Sequence, residues 1–236
     1  MKLELVTPLS GMLNPTTTPY KLIDNPPSWF KEMSKDVCPL PKNRIEKVKT
    51  LIVERERLGN NKTYKVCPAL HQIMRTTIVV PAPFDIRIYQ DGEDWGWSTP
   101  NEMFQVQSHP KDQHRGFRDD QVCVKIPTPW SFVAQDSPSN LLFHHPHFHN
   151  ERRWDTAVGT FDVNTWPILS VIMWFDIPAD EEAIEISAGT PLVYLSTTDE
   201  VLDLNTRYCD QAERDKIATK SIPYSFSLKK VLKSLK

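Results

Sequence analysis

The chain has 236 residues and a formal net charge of −2, from 28 basic and 30 acidic side chains. This balance excludes the strong positive field of a protein that binds nucleic acids in general. No run of about 18 apolar residues is present, and the first residues lack the charged start and apolar stretch of a signal peptide. We therefore expect neither a membrane span nor secretion. Twenty prolines against seven glycines favour rigid, extended connections over flexible ones.

Four cysteines are scattered along the chain without a Cys-x-x-Cys pair: Cys38, Cys67, Cys123 and Cys209. Metal-binding and redox-active cysteines commonly come in closely spaced pairs, and disulfide frameworks are typical of short secreted chains. The spacing therefore predicts reduced, buried thiols in a cytosolic protein.

Residues 1–27 contain five of the prolines and three consecutive threonines. Such a segment has too little apolar periodicity to build a core of its own. We expect an extended proline-rich arm with little regular secondary structure. Contacts of Leu3, Leu5, Leu13 or Tyr20 should hold it in place.

Residues 28–75 are predicted to be short helices and irregular chain. Ser28 is a candidate N-cap of a helix that follows Pro27, and Pro68 suits the first turn of a second helix. Residues 43–59 are strongly charged, and the spacing of their apolar residues fits either a helix or a pair of strands.

Residues 76–197 are predicted to form an all-β core. Short β-branched or alternating segments recur here between prolines, glycines and aspartates. The segment 168–175 is apolar nearly throughout, so we expect a central strand that is buried on both faces. The segment 183–186 alternates, so one of its faces should be wet. Further strands are expected at 76–80, 84–89, 94–97, 122–126, 131–134 and 141–143.

Residues 198–236 are predicted to be helical. Asp199 is a candidate cap of a polar helix that ends near Thr219, because acidic side chains are favoured at helix N-termini. Residues 227–236 place four lysines among leucines and a valine. They would form an amphipathic helix that packs on its own domain or contacts an acidic surface.

Short motifs stand in order along residues 29–195. They are Trp29-Phe30-Lys31, Val66-Cys67-Pro68, Pro83-Phe84-Asp85-Ile86, Ser108-His109-Pro110 with Gln113, Lys125 with Pro129-Trp130, Gly159 with Asp162, and Gly189-Thr190-Pro191-Leu192. As an ordered set they resemble a family of uncharacterised proteins from tailed bacteriophages of the marine phage and cyanophage type. No activity is established for that family. The resemblance therefore implies a non-enzymatic structural or assembly protein of a phage particle.

The second half of the chain also resembles, more distantly, the β-clip fold of dUTPase-like proteins. There, a Gly-x-x-Asp turn is followed by an aromatic residue, as in Gly159 to Asp162 with Trp166 here. Gly189 begins the counterpart of the closing strand. The resemblance implies a mainly β protein, with a β-clip or jelly-roll-like barrel, short flanking helices and the extended N-terminal arm.

The dUTPase-like resemblance implies Asp85 and Asp162 as catalytic carboxylates that could activate water. Aspartate also caps turns, and this interpretation stays open for both residues. The chain lacks the Arg-Ser-Gly or Ser-Ser phosphate loop, the polar closing strand and the glycine-rich C-terminal arm of such enzymes. Because a triphosphate needs several positive or N–H donors, we expect no competent dUTPase-like hydrolase.

A histidine-rich segment precedes the later strands of the core. On a strand, His145, His147 and His149 would share one face, as in cupin-like oxygenases that bind a metal. Pro146 interrupts the ladder, however, and the polar residues 150–153 indicate a loop. We therefore expect no metal and no cofactor, with a metal site at the three histidines as the alternative.

Candidate ligand or interface residues are Trp95, Trp97, Trp166, Arg152 and Arg153. Trp95 and Trp97 fall on one face of a strand beside a turn. Paired tryptophans there can stack on sugars or bases, or anchor an interface. Tryptophans more commonly fill a core, and both interpretations stay open.

Several classes of function remain open from the sequence. The first is the phage structural or assembly role, through protein–protein contacts with copies of itself or with other virion proteins. The second is a dUTPase-like protein that binds or hydrolyses nucleotides, and the third is a cupin-like metal-dependent oxygenase. We favour the first class, with the protein in the host cytoplasm during assembly and in the virion.

Overall fold

The computed structural model of the chain describes residues 1–35, 63–91, 94–100, 104–108, 121–133, 140–176, 183–199 and 202–219. The strands of these ranges are β1 (Lys2–Thr7), β2 (Tyr20–Lys21), β3 (Thr77–Pro81), β4 (Ile86–Asp91), β5 (Asp94–Ser98), β6 (Gln107–Ser108), β7 (Gln121–Phe132), β8 (Asn140–His144), β9 (Trp154–Thr156), β10 (Gly159–Asp162), β11 (Ile168–Asp176), β12 (Ala183–Ile186), β13 (Pro191–Ser196) and β14 (Asp203–Tyr208). The helices are α1 (Ser28–Glu32), α2 (Pro68–Arg75) and α3 (Gln211–Thr219), and 3-10 turns cover Ser10–Met12, Tyr64–Val66 and His147–His149.

The strands form three sheets, named A, B and C here. Sheet A has the order β14-β1-β7-β11-β9, with β6 also paired to β7. Sheet B has the order β10-β8-β13-β3-β2, and sheet C has the order β12-β4-β5. The prediction of a mainly β fold is confirmed. In the described part of the chain no sheet closes into a barrel, so the expectation of a β-clip or jelly-roll-like barrel is not confirmed there.

The main hydrophobic core takes side chains from all three sheets. Leu5 of sheet A, Ile78 of sheet B and Ile184 of sheet C are all buried in it. Strands alternate their side chains between two faces, so each sheet can offer one apolar face to this core. In β12, Glu185 is exposed between the buried Ile184 and Ile186, which confirms the predicted alternation.

Helices cover parts of the outer faces of sheets A and B. Phe30 of α1 and Met74 of α2 pack with Val79 of β3. Val79 lies on the face of sheet B that is opposite the main core. On sheet A, Ile217 of α3 packs with Val6 of β1. Every residue of β3 is consequently buried, so this strand has two buried faces.

The strand that was predicted to be buried on both faces, β11, has only one fully buried face. Val171 and Met173 lie in the main core, whereas Ile168, Ser170 and Ile172 are half-buried. β11 is an interior strand of sheet A, between β7 and the short edge strand β9, but the middle strand of the sheet is β7. The prediction of two buried faces is wrong, because an apolar run does not show whether a helix covers its second face.

Residues 2–7 differ from the predicted extended arm, because they form β1 between β14 and β7. β1 runs parallel to β14 in unbroken register. Leu3 and Leu5 are buried in the main core, as the contact hypothesis requires, but Leu13 is exposed. Residues 8–27 contain only a 3-10 turn and the two-residue β2. A strand of six residues whose partner lies far along the chain gives little local signal.

Residues 203–208 form β14, where a helix beginning at Asp199 was predicted. α3 begins later, and the cap is Asp210, whose carboxylate accepts from the backbone N–H of Glu213 at 2.7 Å. The helix continues to Thr219, the last described residue, so its predicted end near Thr219 is not tested. The pairing of β14 with β1 overrides the helical tendency of the polar sequence around it.

Two further predictions concern the helix starts. Ser28 is the first helical residue of α1 and not its N-cap; Pro27 takes that position, without a side-chain hydrogen bond. Pro68 lies in the first turn of α2, as predicted. The predictions for residues 43–59 and 227–236 fall outside the described residues.

Cys67, Cys123 and Cys209 are free thiols, of which Cys123 and Cys209 are buried and Cys67 is half-buried. Burial raises the pKa of Cys123 and of Cys209, so both are protonated at neutral pH. These three cysteines agree with the predicted reduced state, and Cys38 falls outside the described residues.

The two faces of β11 make a matched pair of substitutions. Met173→Ala should lower the free energy of unfolding by roughly 2–5 kcal/mol, because Met173 is fully buried in packed core. Ile172→Ala should cost less than about 2 kcal/mol, because Ile172 already contacts solvent. Urea unfolding of both variants measures the difference, and equal losses would contradict this assignment of faces.

Gly189 is a second position with a clear expectation. Its φ is +89°, and a Cβ added there would lie 2.6 Å from Cγ2 of Thr16. Gly189→Ala should therefore destabilise the protein by about 1–3 kcal/mol. Gly159→Ala is the control, since nothing lies within 4 Å of a Cβ at that position. A thermal-unfolding midpoint that is unchanged in the Gly189 variant would exclude the close contact with Thr16.

Candidate functional site

The histidine-rich segment lies where β8 ends. Pro146 has no N–H to continue the strand ladder, and residues 147–149 form a 3-10 turn. His145, His147 and His149 therefore do not alternate along a strand. The metal-binding alternative placed the three histidines on one face of a strand, and the structure corrects that arrangement.

The rings of His145 and His147 lie close together, with centroids 5.1 Å apart, but His145 and His149 contact different partners. Nε2 of His145 lies 2.9 Å from the carbonyl oxygen of Glu151, and Nδ1 of His149 lies 2.6 Å from the hydroxyl of Tyr194. His147 is exposed. Within the described ranges, no group of three or more His, Cys, Asp or Glu side chains is arranged to hold a metal ion.

The centre of this region is Tyr194, which is fully buried. Burial raises the pKa of Tyr194, so its hydroxyl stays protonated and donates to Nδ1 of His149. Burial also lowers the pKa of His149 to about 4, so the imidazole accepts in its neutral form. Nε1 of Trp29 donates to the carbonyl of Phe148 at 2.5 Å and ties α1 to this turn. No local pattern could have predicted that contact, since the two residues are 119 positions apart.

His144 belongs to a chain of polar side chains that crosses sheet B. Its Nε2 lies 2.8 Å from Oγ of Ser196, which lies 2.7 Å from Oγ1 of Thr77. Burial lowers the pKa of His144, and the neighbouring His147 lowers it further. A nucleophilic serine needs an exposed position and an oxyanion site. Ser196 instead lies on β13, paired with strands on both sides, so we assign this chain to cross-strand stabilisation.

The two predicted catalytic carboxylates are each held by a turn. The carboxylate of Asp85 accepts from the backbone N–H of Ala188 at 2.7 Å. Asp162 accepts from the backbone N–H of Asn164 at 3.0 Å and from the hydroxyl of Thr165. Asp85 precedes sheet C and Asp162 ends β10 of sheet B, so the two belong to different turns. This geometry supports the turn-capping interpretation of both residues.

Arg152 and Arg153 do not point together into a pocket. Arg153 pairs with the carboxylate of Glu151 at 2.7 Å, donates to the carbonyl of Glu185 at 2.7 Å and lies 5.0 Å from the ring centroid of Trp154. Burial raises the pKa of Glu151, and the hydrogen bonds of Arg153 lower it by more, so this carboxylate stays ionised. Arg152 is exposed, and its backbone N–H also donates to Glu151. The positive charge of Arg153 is thus paired with the neighbouring carboxylate of Glu151.

The three predicted tryptophans have separate surroundings. Trp97 on β5 is half-buried and packs against the main core. The side chain of Trp95 falls outside the described part of the chain, although its backbone belongs to β5. Trp166 is 49% exposed and lines a groove. Of the two tryptophans whose side chains are described, Trp166 is therefore the more exposed.

That groove has a volume of about 320 Å³ and lies beside β10 and β11. Its lining includes the half-buried side of β11, formed by Ile168, Ser170 and Ile172. Phe143 of β8 and Phe161 of β10 also line it, with their ring centroids 4.4 Å apart. The groove is therefore mainly apolar, although it is open to solvent.

The rim of the groove exposes large apolar side chains. Val158, which lies between β9 and β10, is 70% exposed, and Trp166, which is 49% exposed, belongs to the same lining. Exposed apolar groups are common one at a time, but a contiguous patch marks a contact surface. The sequence offered a partial signal here, because Trp166 was singled out and Val158 was not.

Lys125 is the charged residue of the groove lining. It is half-buried on β7 between the buried Val124 and Ile126. The ion pairs formed by the described residues do not include Lys125. Its ammonium is thus available to a negative group that enters the groove. Sequence reasoning gave this residue no role beyond the family resemblance.

Comparison with known proteins adds no further constraint: no family model matches the chain, and neither a curated protein nor a solved structure is significantly similar to it. No helix of the described ranges is both long and apolar enough to cross a membrane. The groove and the 3-10 turn His147–His149 therefore have to be interpreted from their own geometry.

Burial of His149 in the 3-10 turn His147–His149 predicts a loss of stability in mild acid. The pKa of His149 is about 4 in the folded protein and about 6.5 when unfolded, so the unfolded chain binds the proton first. Stability is fully present above about pH 6.5 and falls as the pH drops towards 4. Urea unfolding at pH 7.5, 6.5, 5.5 and 4.5 measures this slope.

His149→Gln should make that slope shallower, because glutamine can accept from Tyr194 without titrating. His147→Gln is the control, and its effect should be smaller because His147 is exposed. If the slopes of the His149 variant and the wild type coincide, burial of His149 is not the source of the acid sensitivity.

Proposed function

We propose that the chain is a non-enzymatic structural or assembly protein of a bacteriophage particle that acts through protein–protein contacts. The observation that carries this proposal is the apolar groove beside β10, with Val158 and Trp166 exposed at its rim. The resemblance of the ordered motifs to a tailed-phage protein family supplies the biological setting.

The groove has the composition of a protein-binding surface. Interfaces are typically centred on apolar and aromatic groups, with polar groups around them. Here the aromatic groups are Phe143, Phe161 and Trp166, and the polar groups include Lys125 and Thr160. Tryptophan is among the residues that most often dominate binding energy. A partner that covered Trp166 would remove its exposed surface from water.

The same geometry supports neither enzymatic alternative. A nucleoside triphosphate carries several negative charges that need converging donors, and the groove lining offers Lys125 as its charged side chain. Asp85 and Asp162, the carboxylates of the hydrolase alternative, accept hydrogen bonds from turns. For the oxygenase alternative, His145 and His149 are directed to separate hydrogen-bond partners.

The partners in this proposal are copies of the chain or other virion proteins. The net charge of −2 gives no general attraction to nucleic acids, which is consistent with a role through protein contacts. The protein would work in the host cytoplasm during assembly and remain in the particle.

The direct experiment is mass spectrometry of particles purified from the phage that encodes the chain. We expect the wild-type chain at a fixed copy number per particle. Val158→Asp and Trp166→Ala should each reduce its incorporation about tenfold or more, because a central tryptophan contact is commonly worth 2 kcal/mol or more. Absence of the wild-type chain from the particles would refute the phage structural role.

The matched control is Ile73→Asp on α2. Ile73 is also an exposed apolar residue, at 44%, but it lies away from the groove lining. Its incorporation should equal that of the wild type. Thermal unfolding of all three variants separates loss of contact from loss of fold. A control variant that fails as severely as the groove variants would exclude the groove as the contact surface.

A further inference from the structure

We infer that the groove captures an extended segment of a partner protein, which adds as a strand to β10 and places an acidic side chain against Lys125. The inference rests on the proposed function, since it specifies what kind of segment the contact surface takes. It depends on three features: the edge of β10, the apolar lining and the lysine.

The first feature is the edge of sheet B. β10 pairs with β8 from Gly159↔Phe143 to Asp162↔Asn140, and it is the last strand of the sheet among the described residues. In an antiparallel pair, alternate residues of each strand direct their N–H and C=O groups away from the partner strand. Such groups at an edge can pair with an added strand.

β10 has only some of the features that protect edge strands, because it is short and ends in the charged Asp162. Natural edge strands are commonly shielded by lysine, by proline or by a bulge. The sequence Gly159-Thr160-Phe161 contains neither lysine nor proline, and its pairing with β8 has no shift in register. Gly159 and Thr160 are exposed. An incoming backbone could therefore approach them closely.

The second feature is the lining next to this edge. A strand places every second side chain on one face, so a segment paired with β10 would direct alternate side chains towards the groove. Those side chains would meet Phe161, Trp166 and Ile172. Asp162, the last residue of β10, already accepts from the turn that follows it. Gly159 to Phe161 therefore offer about 10 Å of edge at ~3.3 Å per residue. A complementary segment of four to six residues with alternating apolar side chains therefore matches the site.

The third feature is Lys125, which selects among such segments. Its backbone is fixed within β7, where Lys125 lies between its register partners Ile172 of β11 and Gln107 of β6. A half-buried ammonium is screened less by salt than an exposed one, so a carboxylate beside it is favoured and a cation is disfavoured. The preferred segment is thus apolar at alternate positions and carries one Asp or Glu.

A charge-swap selection tests this specificity. Random hexapeptides displayed on a carrier are selected against the wild-type protein and against Lys125→Glu. The wild type should enrich alternating apolar residues with Asp or Glu at one position. The Lys125→Glu protein should enrich Lys or Arg at that position instead. Identical selected sequences for both proteins, or no enrichment with the wild type, would overturn the inference.

Main-chain pairing is tested with the best peptide from that selection. Two versions are made, each N-methylated on alternate residues in one of the two possible registers. Strand addition requires one register to lose at least tenfold in affinity, because its N–H groups point at β10, while the other register is tolerated. Fluorescence anisotropy with labelled peptides measures both. Equal affinities of the two methylated peptides would show that no strand is added.

The Lys125→Glu protein is first checked by thermal unfolding. If it does not fold, Lys125→Gln replaces it and should lose the acidic preference without gaining a basic one. Failure of the peptide selection leaves the particle experiment unaffected, since that experiment measures incorporation of the whole chain. Conversely, a positive selection with no chain in purified particles would retain strand capture and reject the phage role.

Discussion

Strand β7 is the constraint on which the rest of the structure depends. Its 12 residues pair along one side with β11, and on the other side with β1 at one end and β6 nearer the other. Because strand residues alternate between faces, the core positions Val124 and Ile126 also fix where Lys125 points. The same packing that builds sheet A therefore places the charged group of the groove. Loss of register in β7 would disturb the core and the groove together.

Local patterns predicted those parts of the fold whose signals are local. The alternation of β12 and the proline at the start of α2 gave correct elements because both reflect neighbouring residues. The patterns failed for β1 and β14, which stabilise each other by parallel pairing. The second face of β11 was also misjudged, because a side chain such as Ile172 does not reveal what will pack on it. Tertiary context overrides propensity in these cases.

The candidate site shows the same contrast between what local sequence reveals and what only the fold reveals. The histidines were conspicuous in sequence, yet a proline and a 3-10 turn prevent them from alternating along a strand, and Nδ1 of His149 accepts from the hydroxyl of Tyr194. The groove was inconspicuous, because Phe143, Trp166 and Ile172 come from three segments that only the fold brings together. Composition could suggest that Trp166 was unusual. It could not show which surface the tryptophan belongs to.

The pairing of β1 with β14 also imposes an order on biosynthesis. The side chains of Glu4 and Asn205 bond across a separation of 201 residues. At about 5–20 residues per second, a ribosome needs roughly 10–40 s to make the partner strand after β1 has emerged. During that interval the nascent chain carries an apolar strand whose outer edge has no mate. Sheet A can therefore be completed only after β14 has left the ribosome.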